Sequence, residues 1–177
     1  KYCINQGIIY QTTRSGYKNC VFVGMDSEGK PRSASVRGCQ GIFRGECAGS
    51  EKQFGFCIPS TNTEIDLAEV YEAPIDLLSG ATLHLMKGHD WRRNHYVSLG
   101  GLNYVALDNY LENHPEIHKL LLRLDNDEPG LQFAMKLQER YQARGYTVKS
   151  APPRRGKDYN DYLMLQIAHL KSIGRSR

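Results

Sequence analysis

Through the first third of the chain, apolar residues come in short runs broken by glycine. Tyr17–Met25 predicts a strand, Ser27–Lys30 a turn and Arg32–Arg37 the returning strand; Gly41–Phe43 and Phe54–Ile58 would complete a small Gly-rich sheet. Ser60–Thr63 is a polar joint, and beyond it the pattern changes. Leu67–Tyr71 predicts a short buried strand, followed by a helix from Ile75 to Met86. Tyr96–Leu99 predicts a second strand, ending in Gly100-Gly101, with a helix over Leu102–Leu111. Lys119–Leu124 reads as a third strand, Gly130–Arg144 as a helix stopped by Gly145, Tyr146–Lys149 as a fourth strand and Asn160–Ser172 as the last helix. Repeated β-α units imply an α/β architecture: a parallel sheet of about four strands flanked by helices and joined by right-handed crossovers. The expected organisation is a small β-rich lobe over residues 1–63 and an α/β domain over 64–177.

Composition adds exclusions. A chain of 177 residues suits one domain with room for a second small lobe. Apolar residues at 40% and charged residues at 24% argue against disorder and fibrous repeats. No apolar run approaches the roughly 18 residues that cross a bilayer. Lys1–Ile9 also lacks the apolar centre of a secretory peptide. A cytoplasmic protein without a membrane partner is expected, and the initial Lys suggests a fragment of a longer parent. The five cysteines, Cys3, Cys20, Cys39, Cys47 and Cys57, are odd in number and form no C-x-x-C pair. They read as reduced, structural residues rather than a zinc knuckle or disulfide framework. The net charge of +4 lies in the first third: residues 1–63 hold eight Lys/Arg against four Asp/Glu, and 64–177 hold fifteen against fifteen. A basic lobe beside acidic clusters suits a polyanion held near a metal.

In a parallel sheet, reactive groups collect beyond the carboxyl ends of the strands. Here Glu72 follows the first strand, with Asp76 four residues on. Asp125-Asn126-Asp127-Glu128 follows the third strand, and Lys157-Asp158-Tyr159-Asn160-Asp161 comes after the fourth. Three strand ends thus bring carboxylates toward one edge. Clustered carboxylates raise one another's pKa unless a cation compensates, and a hard oxygen-seeking ion, Mg²⁺ or Mn²⁺, is the natural one. Each element also has an ordinary reading: D-N-D as a turn or helix cap, Glu72 as a cap before the helix after Pro74, Asp158 or Asn160 as the cap of the last helix. Asp76 is open between reinforcing the acidic edge and lying on the surface.

Among basic residues, Arg154, Arg155 and Lys157 directly precede Asp158, while Arg37 and Lys52 lie in the basic lobe; all five are candidate phosphate contacts, as is Arg44. The histidines His84, His89 and His95 are spaced by five and six residues, which does not put them on one helical face, so no zinc site is expected among them. The many tyrosines read as packing residues.

Four stretches carry a family resemblance: V-Y-E-A-P-I-D-L-L-S (Val70–Ser79), L-G-G (Leu99–Gly101), L-R-L-D-N-D-E-P-G-L-Q-F-A (Leu122–Ala134) and G-K-D-Y-N-D-Y-L (Gly156–Leu163). Together they resemble a Toprim domain, the Rossmann-like catalytic fold shared by bacterial DNA primases, type IA and type II topoisomerases and some nucleases. The form is similar to the primase-like Toprim domains of bacterial mobile-element and phage proteins. The N-terminal part, with V-F-V-G-M-D-S-E-G, R-G-C and G-S-E-K-Q-F-G-F, resembles the uncharacterised domain that commonly precedes them. The resemblance implies that Glu72 acts as general acid/base or metal ligand. It also implies that Asp125 and Asp127 hold a divalent metal, with Asp158 or Asp161 as later acidic partners. The family's usual Gly after the Glu is here Ala73.

The implied activity is Mg²⁺-dependent phosphoryl transfer on nucleic acid: a DNA primase-like nucleotidyltransferase in mobile-element replication or transfer. Its expected partners are a single or template DNA strand, nucleotides, and other domains of a longer parent or the replication machinery. A Toprim nuclease that nicks DNA is the alternative enzyme, and a non-catalytic nucleic-acid-binding module the alternative class. No upstream zinc-binding element for template capture is present in this sequence.

Overall fold

The computed structural model describes residues 1–14 and 16–175. Its elements, in chain order, are α1 (Tyr2–Asn5), β1 (Ile9–Arg14), β2 (Tyr17–Met25), β3 (Pro31–Gly38), β4 (Arg44–Glu46), β5 (Cys57–Ile58), β6 (Leu67–Tyr71), α2 (Pro74–Met86), β7 (His95–Ser98), α3 (Val105–Glu112), β8 (Lys119–Arg123), α4 (Glu128–Gln142), β9 (Thr147–Ser150) and α5 (Tyr159–Arg175), with a 3-10 turn at Trp91–Arg93.

The first four strands form an antiparallel sheet in sequential order, β1-β2-β3-β4. The other five form a second sheet, ordered β5-β7-β6-β8-β9, in which β6 to β9 run parallel and β5 pairs antiparallel with β7. The expected α/β sheet with a β-rich N-terminal lobe is present. Three local expectations change. Tyr2–Asn5 and Ile9–Arg14 form regular elements that the sparse apolar pattern there did not indicate. The fourth strand of the lobe lies at Arg44–Glu46, because residues 39–43 form the loop closed by the Gly38 N–H bond to the Phe43 carbonyl (2.9 Å). Finally, Cys57–Ile58 leaves the lobe's sheet and adds an edge strand to the parallel one.

The parallel sheet is buried on both faces, as crossover helices require. Alternation along each strand sorts the two cores. Ala68, Val70, Leu120 and Leu122 face one side and pack with Leu107 and Leu111 of α3 and Leu137 and Tyr141 of α4. Tyr71 and Tyr96 face the other side with Leu77 of α2, Tyr159 and Leu163 of α5, and Phe22 and Phe56 from the N-terminal part. Glu69, 1% exposed, is the polar exception in the middle of β6. Its carboxylate accepts from Tyr71 Oη (2.7 Å) and Asn94 Nδ2 (2.7 Å), meets His84 Nε2 (2.8 Å), and pairs with Arg123 Nε (2.7 Å). A buried carboxylate held by this many partners locks β6 in register beside β8. Glu72, the next residue after β6, inherits that fixed position.

Candidate active site at the acidic edge

Glu72 emerges where β6 ends and α2 has not begun. Ala73 is the helix N-cap and Pro74 opens the helix, so the chain turns sharply past the glutamate. The neighbouring strand β7 leaves at Gly100-Gly101, whose backbone takes φ of 68° and 123°. Side-chained residues rarely adopt such angles, and the turn lets the Gly101 N–H donate to the Glu72 carbonyl (3.0 Å). Burial and the charges of Asp125 and Asp127 push the Glu72 carboxyl up to about 7, against the pull of Lys157 and Arg44.

Asp125 and Asp127 follow β8. Asp125 is 9% exposed, and burial raises its pKa against a hydrogen bond from Lys157. Asp127 is the N-cap of α4, its Oδ1 accepting from the Gly130 N–H (2.9 Å), and that bond lowers its pKa. The ordinary reading of D-N-D as a helix cap therefore holds for Asp127, without removing its second oxygen from the edge. Gly130 is required by closeness: a Cβ there would sit 2.4 Å from the Asp125 carbonyl oxygen.

The third strand end arrives as a loop tied to the second. The Asn126 N–H donates to the Lys157 carbonyl (2.6 Å), and the Lys157 ammonium lies 3.4 Å from Asp125 Oδ2 and 3.3 Å from Asp127 Oδ2. Asp158 Oδ1 accepts from the Asp161 N–H (2.7 Å), which caps the start of α5. Its charge acts on both Asp76 and Asp125. Asp161 turns back to accept the Lys157 N–H on Oδ2 (3.2 Å), so its carboxylate braces the loop.

Asp76, open in sequence between two roles, is 4% exposed. Its Oδ1 accepts the Asn160 N–H (3.1 Å), and burial with the charges of Asp158, Asp125 and Glu72 pushes it up to about 7. It is an inner member of the acidic edge.

Of the basic candidates, Arg37 lines a cleft of about 430 Å³ between the lobe and the edge, together with Arg44, Glu72, Pro74, Gly100 and Gly101. Lys52 lines a smaller recess of about 50 Å³ that shares Pro74 and Gly100 with this cleft. Arg154 and Arg155 are exposed on the loop that carries Lys157. Arg44 earned less weight than Arg37 from sequence; the register corrects this, because Arg37 and Arg44 are direct partners across β3 and β4. Like charges directly opposite one another repel, and both stand at the cleft that holds Glu72.

The donor set fits a hard divalent cation. It is all carboxylate oxygen, and Glu72, Asp76 and Asp125 are pushed up by burial first and by neighbouring carboxylates second, which the positive charge of a bound cation would offset. Lys157 supplies one unit of that charge between Asp125 and Asp127. Among the described residues, the one group of three metal-ligating side chains with donor atoms already within 4.8 Å of one another lies elsewhere, at His95, His114 and Glu116.

Comparison with known proteins agrees with this geometry. Residues 69–163 match the family described as Toprim-like, and residues 1–62 match a family described as a protein of unknown function, DUF3991. An uncharacterized protein of Bacillus anthracis, pXO2-78, is 31% identical over 146 residues, 75% of this chain and 40% of its own length. The chain thus spans well under half of that curated relative. Among solved structures, the primase fragment of the bacteriophage T7 primase-helicase superposes with a TM-score of 0.69 at 18% identity, covering 98% of this chain and 67% of that one. A DNA primase domain from Pseudomonas aeruginosa gives 0.59 at 16% identity, covering 97% and 57%. At such identities the likeness is one of fold, and it extends through the lobe as well as the parallel sheet.

Proposed function

The chain belongs to the Toprim-like family, and from that premise we propose that its acidic edge is the active site of a Mg²⁺-dependent phosphoryl-transfer domain acting on DNA. In this reading it is a primase-like nucleotidyltransferase serving mobile-element replication or transfer, as part of a longer protein. The observation that carries it is Glu72, pushed up to about 7 beside Asp125 and Asp127 at the mouth of an arginine-lined cleft.

Asp125 and Asp127 would hold the cation, with Asp158 and Asp76 behind them. Asp161 is assigned to bracing the loop that presents Asp158. A bound divalent ion supplies charge neutralisation on the phosphate oxygens and orientation of the reacting groups. Glu72 takes the proton of the attacking hydroxyl and returns it after transfer; a carboxyl titrating near neutrality suits both directions at working pH. Lys157 moves from its two aspartates to a phosphate oxygen when a cation enters. Arg37 and Arg44 receive the strand's backbone across the cleft, and a polyanion between them removes their mutual repulsion. Arg154, Arg155 and Lys52 extend that positive surface and position the strand without reading its sequence.

The test is incorporation of labelled ribonucleotides on a single-stranded template with Mg²⁺ or Mn²⁺, run beside a nicking assay on supercoiled DNA, for wild type and Glu72→Gln. Template-dependent product lost in Glu72→Gln supports priming. Metal-dependent scission without incorporation assigns the edge to a nuclease instead. Binding of DNA that ignores both metal and Glu72→Gln sinks the catalytic reading.

A further inference from the structure

His95, His114 and Glu116 meet at the opposite end of the parallel sheet from the acidic edge. His95 is the first residue of β7, and His114 and Glu116 lie in the connection from α3 to β8. One donor atom from each lies within 4.8 Å of those from the other two. His95 Nε2 is 3.8 Å from Glu116 Oε1, and His114 Nδ1 is 2.9 Å from the same oxygen. We propose that these three side chains form a site for zinc or a similar borderline divalent cation, separate from the Mg²⁺ edge.

Three features of chemistry and placement support this site. His95 is 2% exposed, and its Nε2 is buried without a hydrogen-bond partner, although it points toward Glu116. A buried ring nitrogen left unpaired is costly, and a cation between it and Glu116 satisfies it. The other nitrogen is oriented: Nδ1 lies 3.0 Å from Tyr110 Oη and 3.4 Å from the Ser60 N–H. The Ser60 N–H donates to Nδ1, which places the proton of the free neutral imidazole on the unpaired Nε2; ligation through Nε2 shifts that proton to Nδ1, where Tyr110 Oη stands ready to accept it, the kind of outer partner that orients metal-bound histidines. Burial and the neighbouring His114 push the imidazole down to about 4, so it is neutral at ordinary pH, with the Ile65 carbonyl the nearby group that favours charge most after Glu116.

Two imidazoles and a carboxylate are a donor set zinc accepts, with bonds of about 2.0–2.2 Å and hence ligand atoms about 3.3 Å apart around a tetrahedron. The two separations from Glu116 Oε1, 2.9 and 3.8 Å, bracket that value, and all three donor atoms lie within 4.8 Å of one another. Entry is open, since His114 lines a cleft of about 520 Å³ shared with Tyr110 and Asn113. The sequence hid this site by placing His95 next to His84 and His89. Those two lie tilted against each other with centroids 5.8 Å apart, whereas His95 turns its edge to His114 at 5.1 Å. A cation here would clamp the start of β7 to the α3–β8 connection.

The experiment is a Co²⁺ titration of the protein saturated with Mg²⁺, followed by visible absorption and reversed by Zn²⁺. Saturable binding with a ligand-field band is expected in the wild type and in Asp125→Asn/Asp127→Asn, and its loss in His114→Ala and in Glu116→Gln. Tyr110→Phe should weaken binding about 10–100-fold, as loss of an orienting partner does. Circular dichroism checks that each variant is folded, and Glu116→Gln, on a half-exposed side chain, serves if His114→Ala is not. Equal Co²⁺ affinity in wild type and a folded ligand variant overturns the proposal. So does a signal that disappears with the two aspartates, which would assign the ion to the other edge. Neither result bears on priming or nicking, so the two readings stand or fall separately.

Discussion

The Lys157 ammonium lies 3.3 Å from Asp127 Oδ2, while the backbone N–H of the same lysine donates to Asp161. One residue thus joins the loop after β9 to the acids after β8, through a charge that a cation would replace.

Lys157→Gln should bind Mg²⁺ more tightly, by roughly two- to fivefold, the equivalent of the ~0.5–1 kcal/mol typical of an exposed ion pair. The same variant should bind single-stranded DNA more weakly and with a shallower salt dependence, because one phosphate contact is gone. Calorimetry with Mg²⁺ and fluorescence anisotropy with DNA at several salt concentrations measure both. Unchanged Mg²⁺ affinity would show that the ammonium does not compete for the site.

Asp127 has two separable tasks. Asp127→Ala removes the cap of α4 and should cost about 0.5–2 kcal/mol, the usual value of such a cap. Asp127→Asn keeps an oxygen for the Gly130 N–H and should melt close to wild type, yet lose divalent binding. Thermal melts in EDTA and in Mg²⁺ distinguish them: a Mg²⁺-induced rise that survives in Asp127→Asn would remove this residue from the cation site.

Asp76 makes stability depend on pH in a defined direction. Its carboxyl ionises near 3.8 in the unfolded chain and at about 7 in the folded one. Between these values the folded protein retains a proton the unfolded chain has lost, so stability declines as pH rises through that window, and the deficit is complete above it. Asp76→Asn preserves the acceptor for the Asn160 N–H and abolishes the ionisation. In EDTA at pH 8 it should melt several degrees above wild type, each kcal/mol being about 2–4 °C for a chain of this size. The gap should narrow steadily as pH falls below 7. Glu72 acts in the same direction and His95 in the opposite one; His95, at the far end of the sheet, cancels in the difference between the two proteins, whereas Glu72, whose charge reaches Asp76, adds to the pH dependence of the gap. A gap that does not vary with pH would refute the assignment.

Gly130→Ala tests whether the Asp125–Asp127 loop is set by contact. Its new Cβ meets the Asp125 carbonyl at 2.4 Å, a backbone atom that cannot swing aside. A loss of about 1–3 kcal/mol, typical of overpacking, is expected, together with weaker Mg²⁺ binding. Full stability in chemical denaturation would mean that the loop gives way without consequence.

The parallel sheet and its acidic edge were legible because their signals are periodic and repeated. Leu67–Tyr71 and Lys119–Leu124 read as apolar strands, and Glu72, Asp125 and Asp158 each follow a strand end. Less legible were features fixed by contacts distant in sequence. Asp76 was ambiguous because its Asn160 partner lies 84 positions away. Arg44 gained weight only from its cross-strand register with Arg37. Cys57–Ile58 read as part of the first sheet because apolar alternation states that a strand exists without saying which neighbour it pairs with. His95 was grouped with its sequence neighbours, and a strand residue's companions are set by the sheet.

The antiparallel pairing of Cys57–Ile58 with β7 has a consequence for how this protein can be divided or inherited. Backbone hydrogen bonds are indifferent to side-chain identity, so substitutions in either half drift past this seam without opening it. A cut at the polar joint after it would leave β7 with a bare flank, open to pairing with any extended chain it meets. Transplanting the parallel-sheet half without the preceding residues would therefore bare that flank, and carrying them along would keep it covered.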